Sequence, residues 1–286
     1  MNNALEVKGL TKAYPGFRLD GLDLTLPGGC IMGLIGENGA GKSTTIKLIL
    51  GMIRKDSGTV RILGREISAE KEDADAVLTG EDVGVVMEEA GIPGCLDIRQ
   101  IGRVMENIFR NWDRAAFEKL TARFALPEGK AFKNFSRGMK MKTGIAVALS
   151  HGAKLLILDE ATAGLDPVAR DEVVEMLGEF TREEDHSILI SSHIVSDLEK
   201  LCDYVAFLHK GRLMLCEEKD RLLSEYGVIH CTAEQLKELP ENAVMHKKEN
   251  PYGAEAIVRR ADLPAGFAVS PVSIEELFVY MAKEAE

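Results

Sequence analysis

The chain has 286 residues, 45% apolar and 28% charged, a composition that supports a folded core and excludes wholesale disorder. Its formal net charge of −11 argues against broad nucleic-acid binding, which needs clustered Lys and Arg to displace counterions. The cysteines Cys30, Cys95, Cys202, Cys216 and Cys231 are odd in number and hold no CxxC spacing, so neither a disulfide framework nor a zinc site is suggested, and buried or inert thiols in a reducing cytosol are the better reading.

Met1 to Leu10 carries Glu6 and Lys8 and has no apolar signal core, and nowhere do 18 uncharged apolar residues run together, so no membrane-spanning helix is expected. Leu5 to Val7 reads as a short strand. Leu22, Leu24 and Leu26 alternate with Asp23 and Thr25, the period of a half-buried strand. After the Gly28-Gly29 turn, Cys30 to Ile35 is continuously apolar, as in a strand buried on both faces. A glycine-rich loop leads into a helix over Thr44 to Leu50, and Val60 with Ile62 marks another strand. Ile67 to Glu81 is polar and reads as a solvated connection, and Val83 to Val86 returns to a buried strand.

Beyond Gly91, Pro93 and Gly94, the residues Ile98, Ile101, Val104, Met105, Ile108 and Trp112 fall on one helical face, a stripe expected to be mostly core. A second helix is expected over Arg114 to Phe124 and a third from Arg137. Leu155 to Leu158 is a buried strand ending in Asp159-Glu160. A helix follows from Val168 to about Phe180, and Ile188 to Ile190 forms a strand ending at Ser191-Ser192-His193. Val205 to Leu208 and Leu213 to Leu215 flank Lys210-Gly211 as a hairpin. Beyond Ser224 the pattern is broken by Pro240, Pro251, Gly253, Pro264 and Gly266, with a helix again over Ile274 to Ala282. Strands alternating with helices imply a parallel-sheet α/β domain with antiparallel additions.

The strongest chemical signal is Gly36-Glu37-Asn38-Gly39-Ala40-Gly41-Lys42-Ser43, which satisfies GxxxxGK[ST] between a buried strand and a helix. Glycines let backbone N–H groups face phosphates, and the helix N-terminus adds a favourable dipole. Lys42 is expected to reach β- and γ-phosphates, and Ser43 to ligand Mg²⁺. Asp159 ends its strand where a Mg²⁺ shell draws a carboxylate, and Glu160 can take a proton from attacking water.

With these, the chain resembles the ATP-binding cassette family over about residues 4 to 215. Phe135-Ser136-Arg137-Gly138-Met139 stands where the family carries its signature, Ala163-Gly164-Leu165-Asp166-Pro167 is similar to its D-loop, and Ser191-Ser192-His193 to its switch-histidine segment. Tyr14 matches the aromatic that stacks adenine, and Glu88 the hinge position usually held by Gln. Arg137 replaces the first signature glycine and Met139 its glutamine. A branch of bacterial exporter-type cassettes with a signature like YSKGM shows similar features, and Asn111-Trp112-Asp113 and Ser192-His193-Ile194 look like that branch too. Plainer readings stand beside these: Ser136 as a helix cap, Tyr14 as packing, Asp166 as the start of a turn, His193 as a surface histidine.

The resemblance implies a phosphate-loop α/β core with an antiparallel β subdomain, an inserted helical subdomain and a small C-terminal appendage. The cassette would span residues 1–224, with the helical insert at about 90–152, and an accessory domain would span 225–286. It implies ATP and Mg²⁺ as ligands. Tyr14, Gly36, Glu37, Asn38, Gly39, Ala40, Gly41, Lys42, Ser43, Thr44, Glu88, Ser136, Gly138 and Asp166 would meet nucleotide. Ser43, Glu88 and Asp159 would hold metal, and Glu160 with His193 would act in hydrolysis. It also implies a second cassette, so that two chains sandwich two ATP molecules head to tail, and an integral-membrane permease on the inner face of the cell membrane, docked near Glu88 and the Ile98 helix. No nucleic-acid partner is expected. The rival readings are a soluble cassette ATPase acting on nucleic acid or ribosomes, which should carry a second cassette, a coiled-coil insertion or a basic face, and a regulatory ATP-binding module with little turnover.

Overall fold

A computed structural model of the chain describes residues 3–67, 80–87, 91–250 and 253–284. The expected polar connection after Ile67 therefore lies largely outside the described residues.

The N-terminal strands β1 (Asn3–Tyr14) and β2 (Phe17–Pro27) pair antiparallel across the Pro15-Gly16 turn. Leu5, Val7 and Leu10 of β1 and Leu22, Leu24 and Leu26 of β2 are buried, while Lys8, Asp23 and Thr25 point to solvent, so the alternation read in the sequence is the alternation of faces. With β4 (Ser57–Ile62) and β5 (Arg65–Glu66) they make one antiparallel sheet, ordered β2-β1-β4-β5. The short Leu5 to Val7 strand of the sequence reading thus extends to twelve residues, because β4 and β2 supply partners on both sides.

The central sheet is built from β3 (Ile31–Gly36), β6 (Val83–Val86), β7 (Leu155–Asp159), β8 (Ser187–Ser192), β9 (Tyr204–His209) and β10 (Arg212–Glu218), in the order β10-β9-β3-β8-β7-β6. Only β10 runs antiparallel, returning from β9 through Lys210-Gly211, both with positive φ, as a two-residue hairpin requires. Gly211 has a second reason to be glycine. A Cβ there would stand 1.8 Å from the Arg18 carbonyl oxygen, while its N–H bonds Ala40 and its carbonyl receives the Asp20 N–H. One hairpin tip thereby ties β2 to the phosphate loop.

Every residue of β3, β7 and β8 is buried, since both faces of a parallel sheet are covered. On one face sit the N-terminal sheet and α1 (Lys42–Ile49). On the other lie α5 (Pro167–Phe180), α6 (Val195–Leu201) and the helices inserted between β6 and β7. Those are α2 (Ile98–Ile108), α3 (Arg114–Arg123) and α4 (Arg137–Leu149), capped by Asp97, Asp113 and Ser136 respectively. Ile98 and Ile101 are buried, but Val104 is 37% and Ile108 58% exposed. Met105 and Trp112 are partly buried against the same core, so the expected stripe is mostly core, with Val104 and Ile108 left to solvent.

The segment least legible in the sequence holds α7 (Lys219–Glu225) and a third sheet, β12-β13-β11-β14, antiparallel throughout. Its strands are β11 (Tyr226–Cys231), β12 (Val244–Asn250), β13 (Gly253–Arg259) and β14 (Val269–Ser270), with α8 (Ala233–Glu238) and the closing helix α9 (Ile274–Glu284). A small cluster around Ile229, Leu236 and Val258 is its own. Ile274, Leu277 and Phe278 of α9 instead join the central core with Leu198 of α6 and Phe207 of β9, and the Phe207 and Phe278 rings meet edge to face at 5.4 Å. Of the thiols, Cys202 is buried and its pKa is pushed up by that burial, whereas Cys95 is exposed. Because Phe278 is 7% exposed and packed into the cassette, Phe278→Ala should destabilise the whole chain by about 3 kcal/mol. Denaturant unfolding checks this; a loss confined to a separate, earlier transition would show that the C-terminal sheet unfolds as an independent unit.

Candidate functional site

The loop between β3 and α1 wraps a cavity of about 610 Å³ lined by Glu37, Asn38, Gly39, Gly41, Lys42, Ser43 and Thr44 from the loop itself, and by Phe17, Arg137, Glu160 and His193 from elsewhere. The loop has the conformation that its glycines permit. Gly41 has φ 113, and a Cβ there would meet the Phe17 ring at 2.8 Å. Gly36 ends the buried strand, and Ala40, 3% exposed, turns its carbonyl to Gly211.

Lys42 begins α1 and is 5% exposed. Its ammonium donates to the carbonyls of Gly36 at 2.7 Å and Glu37 at 3.3 Å and faces Glu160 Oε1 at 3.3 Å. Buried charges need such partners. Glu160 in turn binds His193: Nδ1 lies 2.6 Å from Oε2, and since a carboxylate only accepts, Nδ1 carries the proton. The His193 backbone N–H adds a longer bond to the same oxygen, 3.4 Å. Glu160 thus stands between a cation from the phosphate loop and an imidazole from the exit of β8.

The backbone there is strained. Glu160 has φ 53, a left-handed conformation that costs a non-glycine residue about 1–2 kcal/mol. Ser191 of β8 holds it in place: its carbonyl and its hydroxyl both accept the Glu160 N–H, at 3.1 and 3.0 Å. The same hydroxyl donates to Asp159 Oδ1 at 2.6 Å. One serine therefore holds the Asp159 carboxylate and the backbone of Glu160.

Other expected site residues lie elsewhere. Ser136 caps α4 by accepting the Met139 N–H at 3.2 Å, and Gly138 packs beside Leu165; neither lines the cavity of its own chain, although Arg137 between them does. Asp166 caps α5, and the N–H groups of Ala169 and Val168 hold its carboxyl below its ordinary pKa. Tyr14 is 42% exposed with the Lys12 ammonium 5.5 Å from its ring centre, and it is not in the cavity wall; its hairpin partner Phe17 is. Glu88 lies outside the described residues. Sequence reasoning missed Phe17, which the Pro15-Gly16 turn could have revealed by pairing it with Tyr14. It also missed the job of Ser191. His209, at the end of β9, is 5% exposed, has no hydrogen-bond partner on either ring nitrogen and lies 3.6 Å from Glu37; no local signal marked it.

A glycine loop at a strand-to-helix turn, a buried lysine and a strand-end carboxylate pair define a phosphate-loop nucleotidase. Comparison with known proteins narrows the class. The sequence profile of the ABC transporter family matches residues 19–163. The chain is 30% identical to the ABC transporter ATP-binding protein YhcH of Bacillus subtilis (strain 168), over 99% of this chain and 92% of that protein. It is 35% identical to the bacitracin transport ATP-binding protein BcrA of Bacillus licheniformis, over 75% of this chain and 69% of that one. A solved ATP-binding subunit of an ABC transporter superposes with a TM-score of 0.68 at 28% identity, covering 77% of this chain and 92% of that chain. The chain belongs to the ABC transporter family, as an ATP-binding and ATP-hydrolysing subunit that energises a membrane permease. Among the described residues no helix is long and apolar enough to cross a membrane.

Ser191→Ala should cost about 2 kcal/mol of stability, because the buried Asp159 carboxylate loses its donor and the strained Glu160 N–H is left with the residue-191 carbonyl alone. Urea unfolding measures it; a change below about 0.5 kcal/mol would mean that β8 holds the pair without the hydroxyl.

Proposed function

We propose that Mg–ATP binds across the phosphate-loop cavity, and that closure and reopening of two such cassettes drive an exporter-type permease. The observation that carries this reading is the Lys42–Glu160–His193 chain at 3.3 and 2.6 Å, which puts a cation, a base and a proton donor around one cavity. Lys42 moves from its carbonyl partners to the β- and γ-phosphates, and the backbone from Gly36 to Thr44 cradles them. Glu160 orients the attacking water and takes its proton, while His193 fixes the second oxygen of that carboxylate and reaches toward the γ-phosphate.

Ser43 and Asp159 are hard oxygen donors suited to Mg²⁺, which keeps few protein ligands and takes the rest from phosphate and water. Among the described residues no group of three or more His, Cys, Asp and Glu gathers into a metal cage, which fits a metal that arrives with its nucleotide. Glu88 would complete the set on sequence grounds. When bound, the ion would supply positive charge that offsets the phosphates.

Ser136, Gly138 and Asp166 stand apart from their own chain's cavity, an arrangement that supports their service to a second cassette's nucleotide in a head-to-tail pair. The bacitracin-transport relative supports a role in transport. The exposed Val104 and Ile108 end of α2 supports permease docking there, on the inner face of the cell membrane.

The base would rest at the tip of the β1–β2 hairpin, between Tyr14 and Phe17. Tyr14→Ala and Phe17→Ala should each weaken ATP more than inorganic tripolyphosphate, by about fivefold. If either variant loses both ligands equally in calorimetry, that ring is packing and not a base platform. Glu160→Gln keeps size and hydrogen bonding but removes basicity, so turnover should fall about 10²-fold or more while ATP affinity holds. Phosphate release and calorimetry on one preparation decide this. Wild-type turnover that is measurable and unchanged by the substitution refutes the role of Glu160.

A further inference from the structure

The phosphate loop carries an acid beside the place polyphosphate would take, and the sheet sets a buried histidine against it. Glu37 follows the last residue of β3 and lines the cavity with Lys42 and Ser43. Strands β3 and β9 run parallel with Gly36 paired to Leu208, so the next residues, Glu37 and His209, come side by side. His209 Nδ1 lies 3.6 Å from Glu37 Oε2. That is too long for a hydrogen bond, and a small movement of either group would make one.

The two side chains differ in freedom. His209 is 5% exposed, whereas the Glu37 side chain is 58% exposed. The backbone on either side of His209 is fixed to the loop. A Cβ on Gly36 would stand 2.5 Å from the Leu208 carbonyl oxygen, so β9 lies hard against the start of the loop, and the Gly211 N–H bonds the Ala40 carbonyl. The imidazole is thus held in place with neither ring nitrogen paired. Buried polar groups are nearly always hydrogen-bonded, so an unpaired one needs a reason.

We infer that His209 is a positioning residue for the phosphate site: its Nδ1–H takes the Glu37 carboxylate when polyphosphate enters, and so holds that charge off the phosphates. The inference rests on the reading of this cavity as the ATP site and deepens it. His209 does not line the cavity, so a carboxylate bound to it is turned out of the phosphate path. The Glu37 backbone is freed in the same step, because its carbonyl is held by the Lys42 ammonium, at 3.3 Å, only until that ammonium moves to phosphate. An Nδ1–H donates in the neutral ring as in the charged one, so the contact needs no change of protonation.

The test is calorimetry of Mg–ATP and of AMP on the full chain, with wild type, His209→Phe, His209→Gln, Glu37→Gln, the His209→Phe/Glu37→Gln pair and Lys42→Ala. His209→Phe should weaken ATP about fivefold and leave AMP unchanged, since AMP brings no β- and γ-phosphates. His209→Gln keeps a side-chain N–H and should recover part of the loss. Glu37→Gln, which removes the repelled charge, should restore ATP affinity to the His209→Phe chain. If the phenyl ring prevents folding, His209→Ala carries the same comparison. ATP affinity unchanged by loss of the imidazole overturns the inference. A loss that Glu37→Gln does not repair, or one shared equally by ATP and AMP, overturns it too, because a packing role would act without the carboxylate and on both ligands. If Lys42→Ala leaves ATP affinity intact, the reading of the cavity itself fails; if Lys42→Ala weakens ATP and His209→Phe does not, only the role of His209 falls.

Discussion

Everything chemical in this chain is arranged around one buried ammonium. Lys42 is nearly out of water in a protein whose net charge is strongly negative, and it is stabilised by two loop carbonyls and one carboxylate. An ammonium removed from water costs several kcal/mol unless such oxygens replace its hydration. The glycine loop must therefore fold back over its own helix to bring carbonyls within reach, and the carboxylate must arrive from a different strand. Those two demands set the register of β3 against β8 and β7. Met32 pairs with Leu189 and Leu158 with Ile190, which brings the ends of the three strands to the same edge of the sheet.

The strain at Glu160 follows from that geometry. An extended residue at the end of β7 would carry its side chain along the sheet face. The left-handed turn sends the carboxylate back toward Lys42 and His193. Ser191 meets the local cost with one side chain, accepting the strained N–H and donating to Asp159. The hydroxyl is fully buried, so no water competes for it. Rigid strands thus carry the ion-paired groups of the cavity, while α4 contributes Arg137 to its wall from the other side.

Much of this could be read from the sequence, and what could not has a common cause. The apolar runs of β3, β7 and β8 each lead into a residue of the cavity wall, Glu37, Glu160 and His193, so periodicity and motif pointed to the same edge. The Lys210-Gly211 hairpin was visible because few pairs tolerate two successive positive φ angles. By contrast, the C-terminal sheet includes small residues such as Gly227, Ala254 and Ala256, which give weak strand signals, and Ala254 and Ala256 are buried through a cluster with Leu236 of α8 that no local pattern announces. The stripe on α2 announced a helix but not that Val104 and Ile108 would stay exposed beside core-packed Ile101 and Met105. Phe17 and Arg137 reach the cavity through tertiary placement, Phe17 across a hairpin and Arg137 from more than ninety residues downstream of Lys42, and no local pattern encodes such a meeting.

The edge-to-face pair of Phe207 and Phe278 imposes an order on assembly. Phe207 lies in the middle of β9, beside the strand that feeds the phosphate loop, yet its ring is covered by a helix roughly 70 residues further along the chain. As the polypeptide leaves the ribosome, the cassette's sheet can pair while this part of its apolar face is still bare. The nascent domain must keep that face from other chains until α9 has been made and has swung back onto β9 and α6. A nucleotide site completed early in synthesis therefore sits on a core that is sealed late.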